Sequence, residues 1–159
     1  ILLVPRVVVC AYDITNATPN HHSHAVPAPK PSAACPCGSN ETYADCCGEF
    51  HMGTAAPTPE ALMRSRYSAY VAGLSDYLLA TWHPSTAPGE LELWPVKWLG
   101  LDVRRAEQQG DAGMVEFVAR HRDSTGRAQR LHEVSRFVRM DGRWLYIDGQ
   151  IVDDEHASS

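Results

Sequence analysis

The stretch CPCGSNETYADCCGEFHMG, from Cys35 to Gly53, organises the whole chain, because four of the five cysteines fall within thirteen of these positions. Two cysteine pairs separated by a short, turn-prone loop offer the four soft ligands that one tetrahedral zinc ion needs. Cys46 and Cys47 are adjacent, so the chain must bend there for both sulfurs to reach one ion. If Cys35, Cys37, Cys46 and Cys47 all bind as thiolates, no open coordination position is left on the metal. The sequence therefore predicts a structural zinc site rather than a catalytic one.

Two alternatives to a four-cysteine site stay open. His51 lies four residues after Cys47, one helical turn away, and is an alternative fourth ligand in place of Cys46 or Cys47. Disulfides are the other use of clustered cysteines, but residues 54–159 contain no cysteine, so a disulfide framework would leave most of the chain unsupported. Metal-bound thiolates in a reducing compartment agree better with this distribution, and we expect a cytoplasmic protein.

The composition is that of one ordinary globular domain with a small addition, because 44% of the 159 residues are hydrophobic. No apolar run approaches the ~20 residues that a membrane helix needs, so no membrane partner is expected. The net charge of -5 argues against a general nucleic-acid binder. Nine arginines lie between Arg104 and Arg143 together with six acidic residues, and we interpret them as a solvated, cross-paired sheet surface.

The chain divides into four parts. Residues 1–34 are interpreted as a disordered or extraneous N-terminal tail, because from residue 13 onwards they combine many prolines with no apolar periodicity. The metal segment covers residues 35–54, and the main domain covers residues 57–152. Residues 153–159 form a C-terminal tail.

The main domain begins with a well-marked helix. Thr58 is suited to the N-cap, Pro59 suits the first helical position, and Gly73 is placed to end the helix. A second, shorter helix is predicted over residues 75–82. A short helical turn is predicted over residues 90–94, which Pro95 would limit.

The second half of the main domain has the residue pattern of strands. Four strands are predicted, over residues 98–108, 114–121, 130–140 and 143–151. Helices followed by a run of antiparallel strands indicate an α+β fold.

Asp141-Gly142 is the strongest turn signal and predicts a two-residue hairpin loop. The register that follows pairs residues across the hairpin: Arg139 with Trp144, Phe137 with Tyr146 and Ser135 with Asp148. One face of the hairpin is then aromatic with polar groups among the rings: Glu133, Ser135, Phe137, Trp144, Tyr146 and Asp148. The opposite face is aliphatic: Val134, Val138, Leu145 and Ile147.

The spacing C-x-C-x8-C-C, with Gly38, Ser39 and Tyr43 inside it, resembles the SEC-C zinc motif. The segments PEALMRSRYSAY (59–70), EVSRF (133–137) and DGRWLYIDG (141–149) are similar to those of the small bacterial YchJ family. This resemblance covers about residues 35–150. It implies a zinc site at the four clustered cysteines, Cys35, Cys37, Cys46 and Cys47. It also implies a nuclear transport factor 2-like (cystatin-like) domain, in which helices pack on a curved antiparallel sheet.

Two functions are considered. SEC-C segments resemble docking devices, so the resemblance implies a binding module that docks a protein partner through the zinc knuckle, the metal segment of residues 35–54. That partner would be a component of the protein translocation machinery or of the ribosome. Nucleic acid is expected near the protein only if the partner is the ribosome. We expect such a knuckle to present backbone groups and basic side chains. The absence of an obvious catalytic motif favours this hypothesis over an enzyme.

The alternative is an enzyme with a small-ligand pocket, as folds of this class often enclose a cavity. Glu133 is the candidate acid–base residue, because a carboxylate among aromatic rings can have a raised pKa. In the opposing interpretation Glu133 pairs with a helix arginine and supports the fold. Arg64 and Arg66 lie two positions apart on a helix, so at most one of them can enter the pocket. The pocket candidates are Arg64, Tyr67, Trp82, Ser135, Phe137, Trp144, Tyr146 and Asp148.

Overall fold

The computed structural model describes residues 28–93 and 96–152, in which three helices precede a four-stranded antiparallel sheet. The helices are α1 (Cys47–His51), α2 (Pro59–Ala72) and α3 (Ser75–Ala80). The strands are β1 (Lys97–Gln109), β2 (Ala112–Arg122), β3 (Ala128–Met140) and β4 (Arg143–Ile151), and they lie in the order β1-β2-β3-β4. The predicted α+β fold, with helices packed on a curved antiparallel sheet, is confirmed. Residues 1–27 and 153–159 lie outside the described residues.

Helix α2 has the predicted ends. The hydroxyl of Thr58 accepts a hydrogen bond of 3.0 Å from the backbone N–H of Ala61, and Gly73 ends the helix in the left-handed conformation at φ 72°. The first turn of α2 lies directly on the sheet, because a Cβ atom added at Gly113 of β2 would meet Pro59 at 2.3 Å. This close approach fixes the start of α2 against β2, and it requires glycine at position 113.

The hydrophobic core lies between α2 and the inner face of the sheet. Leu62, Met63 and Tyr67 of α2 are buried against β2, β3 and β4. The sheet contributes Val115, Phe117, Ala119, Phe137, Trp144 and Tyr146 to this cluster. Their alternation along each strand follows the two-residue period of a half-buried sheet.

Two of the predicted helical segments differ from the structure. Helix α3 ends at Ala80, two residues before the predicted end, because Trp82 forms an isolated bridge with Tyr146 of β4. The backbone N–H of His83 donates to the carbonyl oxygen of Tyr146 at 2.7 Å, which holds this segment extended beside the sheet. The helical turn predicted over residues 90–94 is absent from residues 90–93, and residue 94 lies outside the described residues.

The β3–β4 hairpin follows the predicted register only for its first half. Phe137 pairs with Tyr146 as predicted, but a bulge follows, so that Arg136 pairs with Asp148 and Ser135 pairs with Gly149. The predicted pairing of Ser135 with Asp148 is therefore wrong. One extra residue on β4 reverses the faces of the residues beyond it, which moves Asp148 to the outer face of the sheet.

The ordered part of the knuckle begins before the predicted boundary at residue 35. The backbone N–H of Tyr43 donates to the carbonyl oxygen of Ala33 at 2.8 Å, and that of Ala44 donates to Pro31 at 3.0 Å. Ala34 also forms an isolated antiparallel bridge with Thr42. Residues 31–34 thus form the first strand-like edge of the knuckle rather than the end of a tail.

None of the helices in the described ranges, 28–93 and 96–152, is long and apolar enough to cross a membrane.

Candidate functional site

The four cysteines of the knuckle bring their sulfur atoms into one cluster. All four Sγ atoms, from Cys35, Cys37, Cys46 and Cys47, lie within 4.8 Å of one another. The Sγ atoms of Cys37 and Cys46 are 3.6 Å apart and those of Cys46 and Cys47 are 3.9 Å apart, and no disulfide joins them. A tetrahedral zinc ion with Zn–S bonds of about 2.3 Å separates its ligand sulfurs by ~3.8 Å. The donor set and its spacing therefore suit a metal ion of this kind.

The bend between the adjacent cysteines is built into the backbone. Cys46 precedes α1 at φ -128° and ψ -116°, and Cys47 is the first residue of the helix. The tight packing around this bend leaves no room at Gly48, where a Cβ atom would lie 2.6 Å from the carbonyl oxygen of Tyr43. On the other side of the cluster, Gly38 turns the chain at φ 80°. These conformations bring sulfurs that are adjacent in sequence towards one point.

Two hydroxyl groups lie next to the sulfurs. The Oγ atom of Ser39 is 3.1 Å from the Sγ atom of Cys46, and the Oγ atom of Ser68 is 3.7 Å from that of Cys35. Hydroxyl donors orient thiolate ligands and reduce the charge that four such ligands concentrate. Ser68 belongs to α2, so the main domain itself contributes to the surroundings of the cluster.

His51, the alternative fourth ligand, takes no part in the sulfur cluster. Its Nδ1 lies 2.5 Å from the hydroxyl of Tyr43, and its Nε2 lies 2.8 Å from the carbonyl oxygen of Ser65. A carbonyl oxygen only accepts, so Nε2 carries the proton and donates to Ser65, while Tyr43 donates to Nδ1. Burial lowers the pKa of His51, in agreement with a neutral ring. Both ring nitrogens are therefore engaged, Nε2 in joining α1 to α2 and Nδ1 in holding the loop residue Tyr43.

Arg64, a predicted pocket residue, also joins the knuckle to the main domain. Its Nη1 donates to the carbonyl oxygen of Cys37 at 2.9 Å, and its Nε donates to Glu60 one turn earlier at 3.1 Å. Together with Ser65 and Ser68, Arg64 gives α2 three polar contacts with the knuckle. The knuckle is therefore packed on α2 and does not stand apart from the main domain.

A cavity lies on the inner face of the sheet, beneath α2. Of the predicted pocket residues, the structure places Tyr67, Glu133, Ser135, Phe137 and Tyr146 in its wall. It has about 40 Å³ of room for the centres of water-sized molecules, and it opens to solvent. A single water needs ~10–15 Å³ on this measure, so the space corresponds to about three waters.

Four predicted pocket residues lie elsewhere. Trp82 is buried beside Tyr146, and Trp144 donates from its indole N–H to the carbonyl oxygen of Pro57 at 3.3 Å. Asp148 accepts a hydrogen bond of 2.7 Å from Arg136 on the outer face, and this bond lowers the pKa of its carboxyl group. Arg64 is held at the knuckle, as described above.

Arg66 is the arginine that enters the cavity wall. It is buried, and its Nη1 donates to the carbonyl oxygen of Leu78 at 2.8 Å and to the hydroxyl of Thr81 at 2.7 Å. The guanidinium also lies over the rings of Tyr146 and Trp82, at 4.7 and 5.2 Å from their centroids. Spacing on α2 allowed only one arginine into the pocket, but the choice between the two depended on packing against α3 and β4.

Glu133 is almost fully buried, with 2% of its surface exposed. Its Oε2 accepts a hydrogen bond of 2.9 Å from Ser135, while its Oε1 has no hydrogen-bond partner among the described residues. Burial raises the pKa of this carboxyl group to about 7, although Ser135 and the Arg66 charge oppose the rise. No hydrogen bond joins Glu133 to Arg66 within the described part of the chain, so the predicted pairing with a helix arginine is not seen.

The cavity wall includes residues of α2 and of strands β1, β2 and β3 that were not among the pocket candidates. They are Met63, Tyr70, Trp98, Phe117, Ala119 and Leu131, with Arg66. The alternation of Val115, Phe117 and Ala119 was the available signal, since it assigns these side chains to one face of β2.

Comparison with known proteins agrees with both parts of this architecture. A family model described as YchJ, middle NTF2-like domain, matches residues 58–149, which is more than half of the chain. The SEC-C motif matches residues 32–49. The chain belongs to the YchJ family.

Relatives in this family carry the designation UPF0225. A UPF0225 protein of Ralstonia nicotianae is 54% identical over 144 residues, which cover 81% of this chain and 99% of the relative. One from Chromobacterium violaceum is 56% identical over 128 residues, covering 75% of this chain and 93% of the relative.

Two solved structures share the fold. The solution structure of a SEC-C motif containing protein from Rhodopseudomonas palustris is 38% identical, with a TM-score of 0.67, and covers 76% of this chain and 100% of its own. The crystal structure of a SEC-C motif containing protein from Psychrobacter arcticus is 28% identical, with a TM-score of 0.65, and covers 78% and 85% respectively. The family thus combines a SEC-C knuckle, whose cysteine cluster suits a metal ion, with an NTF2-like domain.

Proposed function

We propose that this protein is a docking module whose knuckle is held together by a structural zinc ion. The knuckle presents a rigid surface to a basic segment of a partner protein in the cytoplasm. The observation that carries the proposal is the charge of the exposed knuckle surface. Three acidic side chains of the knuckle are exposed: Glu41, Asp45 and Glu49. Met52, three residues after Glu49, is 89% exposed, an unusual position for a large apolar side chain.

The charge of this face corrects one expectation. Residues 35–53 contain no lysine or arginine, so the prediction that the knuckle presents basic side chains is wrong. An acidic face repels nucleic-acid phosphates, which argues against docking on ribosomal RNA. It attracts lysine- and arginine-rich protein segments, and charge complementarity of this kind mainly increases the association rate.

The zinc ion would supply rigidity rather than chemistry. Four thiolates complete its coordination, so no position is left for a substrate. The contacts of Arg64, Ser65 and Ser68 would then hold the metal-bound knuckle on α2. A surface fixed in this way loses little conformational entropy on binding.

Charge reversal tests the docking surface without disturbing the cysteines. The triple variant Glu41→Lys, Asp45→Lys, Glu49→Lys is compared with a matched control, Glu90→Lys, Glu92→Lys, Glu107→Lys, whose three acids are also exposed. Wild type and both triple variants are each used to capture proteins from a bacterial lysate, and the captured proteins are quantified by mass spectrometry. The most enriched partner is then purified and titrated by calorimetry at two salt concentrations. We expect a partner that binds wild type and control, loses at least tenfold in affinity for the knuckle variant, and binds more weakly at high salt. Equal affinity for both triple variants would contradict the proposal.

A further inference from the structure

The four cysteines of the sulfur cluster are unequally exposed. Cys35, Cys37 and Cys47 are buried, with at most 5% of their surface exposed, whereas Cys46 is only partly buried. A tetrahedral ion has its ligands on four sides, so three sides of the site face protein and the fourth, at Cys46, lies next to solvent. A molecule that competes for the metal therefore meets Cys46 before it can reach the other three ligands.

Two of the buried ligands are also supported by the main domain. Arg64 of α2 donates to the carbonyl oxygen of Cys37 at 2.9 Å. The Oγ atom of Ser68, also on α2, lies 3.7 Å from the Sγ atom of Cys35. The hydrogen bonds of Cys46 in the described part of the chain stay within the knuckle. Breaking the bond from Cys46 to the metal therefore leaves the contacts between the knuckle and α2 in place.

The hydroxyl of Ser39 is oriented towards Cys46. The backbone N–H of Glu41 donates to the Oγ atom of Ser39 at 3.3 Å, and since an N–H can only donate, this oxygen is the acceptor. The hydroxyl proton of Ser39 is then available for the Sγ atom of Cys46, 3.1 Å away. A hydrogen bond of this kind orients a metal ligand and stabilises the negative charge of a thiolate.

We propose that Cys46 is the exchangeable ligand of the metal site, the ligand that is bound last and released first. The hydroxyl of Ser39 is the positioning group that holds its sulfur on the metal. In the exchange, the bond from Cys46 to the metal breaks and its electron pair stays on the sulfur as a thiolate. A soft donor from solution, such as a small thiol or a chelator, takes the open position. Metal exchange of this kind is independent of the docking surface proposed above.

Alkylation identifies the exposed ligand directly. The full-length, zinc-loaded protein carries Cys10→Ser, which removes the fifth thiol, and it receives less than one equivalent of N-ethylmaleimide per chain. The sulfur that reacts forms a bond to one alkene carbon of the reagent, and the other alkene carbon takes a proton from water. The remaining cysteines are then labelled with the deuterated reagent under denaturing conditions, and fragment masses locate the first adduct.

The position of the first adduct decides which ligand is exchangeable. We expect most of it on Cys46, because accessible thiolates react first, together with release of zinc from the same molecules. A first adduct mainly on Cys35, Cys37 or Cys47, or an equal distribution over the four cysteines, would overturn the proposal. A chain that takes up no zinc would overturn it as well.

A pair of serine variants tests the role of Ser39. Zinc transfer to an excess of the chelating dye pyridylazoresorcinol is followed by absorbance in Ser39→Ala and in the control Ser68→Ala, which removes the hydroxyl beside the buried Cys35. We expect release from Ser39→Ala to be about tenfold faster than from wild type, the lower end of what loss of such a contact to a metal ligand costs. Ser68→Ala should stay close to the wild-type rate, because Cys35 leaves the metal only after Cys46. Ser39→Thr keeps the hydroxyl and should also stay close to the wild-type rate.

Each variant is first shown to be folded and loaded, by near-UV circular dichroism and a zinc count. A wild-type rate in Ser39→Ala, or equal acceleration in both alanine variants, would contradict the role of Ser39. Release from Ser39→Thr as fast as from Ser39→Ala would do the same, because the effect would then not come from the hydroxyl. If Ser39→Ala fails to retain zinc, the alkylation pattern of the protein with Ser39 intact still decides whether Cys46 is the exchangeable ligand.

Discussion

The knuckle and the cavity both bury polar groups, but they satisfy them differently. In the knuckle the four Sγ atoms lie within 4.8 Å of one another, and hydroxyl groups of Ser39 and Ser68 lie beside them. In the cavity wall, among the described residues, the carboxyl group of Glu133 has a hydrogen-bond partner for only one of its two oxygens. A cluster whose donors all converge on one point is suited to hold the fold together. A buried carboxyl oxygen without a hydrogen bond disfavours the charged form of its group, so this site makes stability depend on pH.

Loss of the metal ligands should have the largest effect. In the double variant Cys35→Ser, Cys37→Ser we expect the metal content to fall from one ion per chain to none. The knuckle should then unfold, because structural zinc sites contribute on the order of 10 kcal/mol to the folding of such segments. The main domain should remain folded, since most of the shared hydrophobic cluster lies between α2 and the sheet and only its edge comes from the knuckle cysteines.

Hydrogen exchange separates the two regions in this variant. Fast exchange in residues 33–52 with continued protection in β2 and β3 is the expected pattern. Protected knuckle amides in the metal-free protein would contradict the account, because the contacts with α2 alone would then be sufficient to fold the knuckle.

The stability contributed by Glu133 should depend on pH. Its folded-state pKa is raised by burial from 4.5 to about 7, so the folded protein holds this proton more tightly than the unfolded chain does. The free energy of unfolding should therefore fall as pH rises from about 4.5 through 7, by up to about 3 kcal/mol at 1.36 kcal/mol per pKa unit. Glu133→Gln should remove this slope, as measured by urea unfolding at pH 5 and pH 8. An unchanged slope in the variant would show that Glu133 does not titrate in this range.

The contact between the two regions should have a smaller effect. Arg64→Met removes the hydrogen bond to the carbonyl oxygen of Cys37 but keeps most of the side-chain volume. We expect a loss of about 1–2 kcal/mol, typical for a hydrogen bond from a charged donor. Arg104→Met, whose arginine is exposed and pairs with Asp102 at 3.4 Å, should change stability by less than about 0.5 kcal/mol. Equal effects in the two variants would mean that Arg64 does not fix the knuckle on α2.

The smallest effect on stability is expected at Gly149. An alanine there must displace the carboxyl group of Glu133, which is the movable end of a flexible side chain. We expect a loss of less than about 1 kcal/mol, together with a changed pKa of Glu133 measured by carbon-13 NMR. An unchanged pKa in Gly149→Ala would show that the glycine does not position this carboxyl group.

The parts of the molecule that depend on short-range sequence signals were predictable. The cysteine spacing indicated the sulfur cluster, Thr58 and Gly73 marked both ends of α2, and Asp141-Gly142 gave the first half of the hairpin register. Each of these features is determined by a few neighbouring residues. Local chemistry of this kind leaves few alternatives.

The composition of the cavity was less predictable, because it depends on contacts between distant segments. The bulge beyond Phe137 turns Asp148 away from the cavity and brings Gly149 beneath Glu133. No residue type in β4 allows this bulge to be predicted from the sequence. The choice of Arg66 over Arg64 likewise depends on acceptors in α3 and in the knuckle, which no periodicity on α2 reveals.

X-ray absorption at the zinc edge shows whether four sulfur atoms hold one structural metal ion in this protein. Protein purified from cells without added metal is measured together with a metal count by native mass spectrometry. We expect one zinc ion per chain, bound by four sulfur atoms at about 2.3 Å with no nitrogen or oxygen ligand. A nitrogen ligand, as His51 would supply, or a chain that carries no zinc would contradict it.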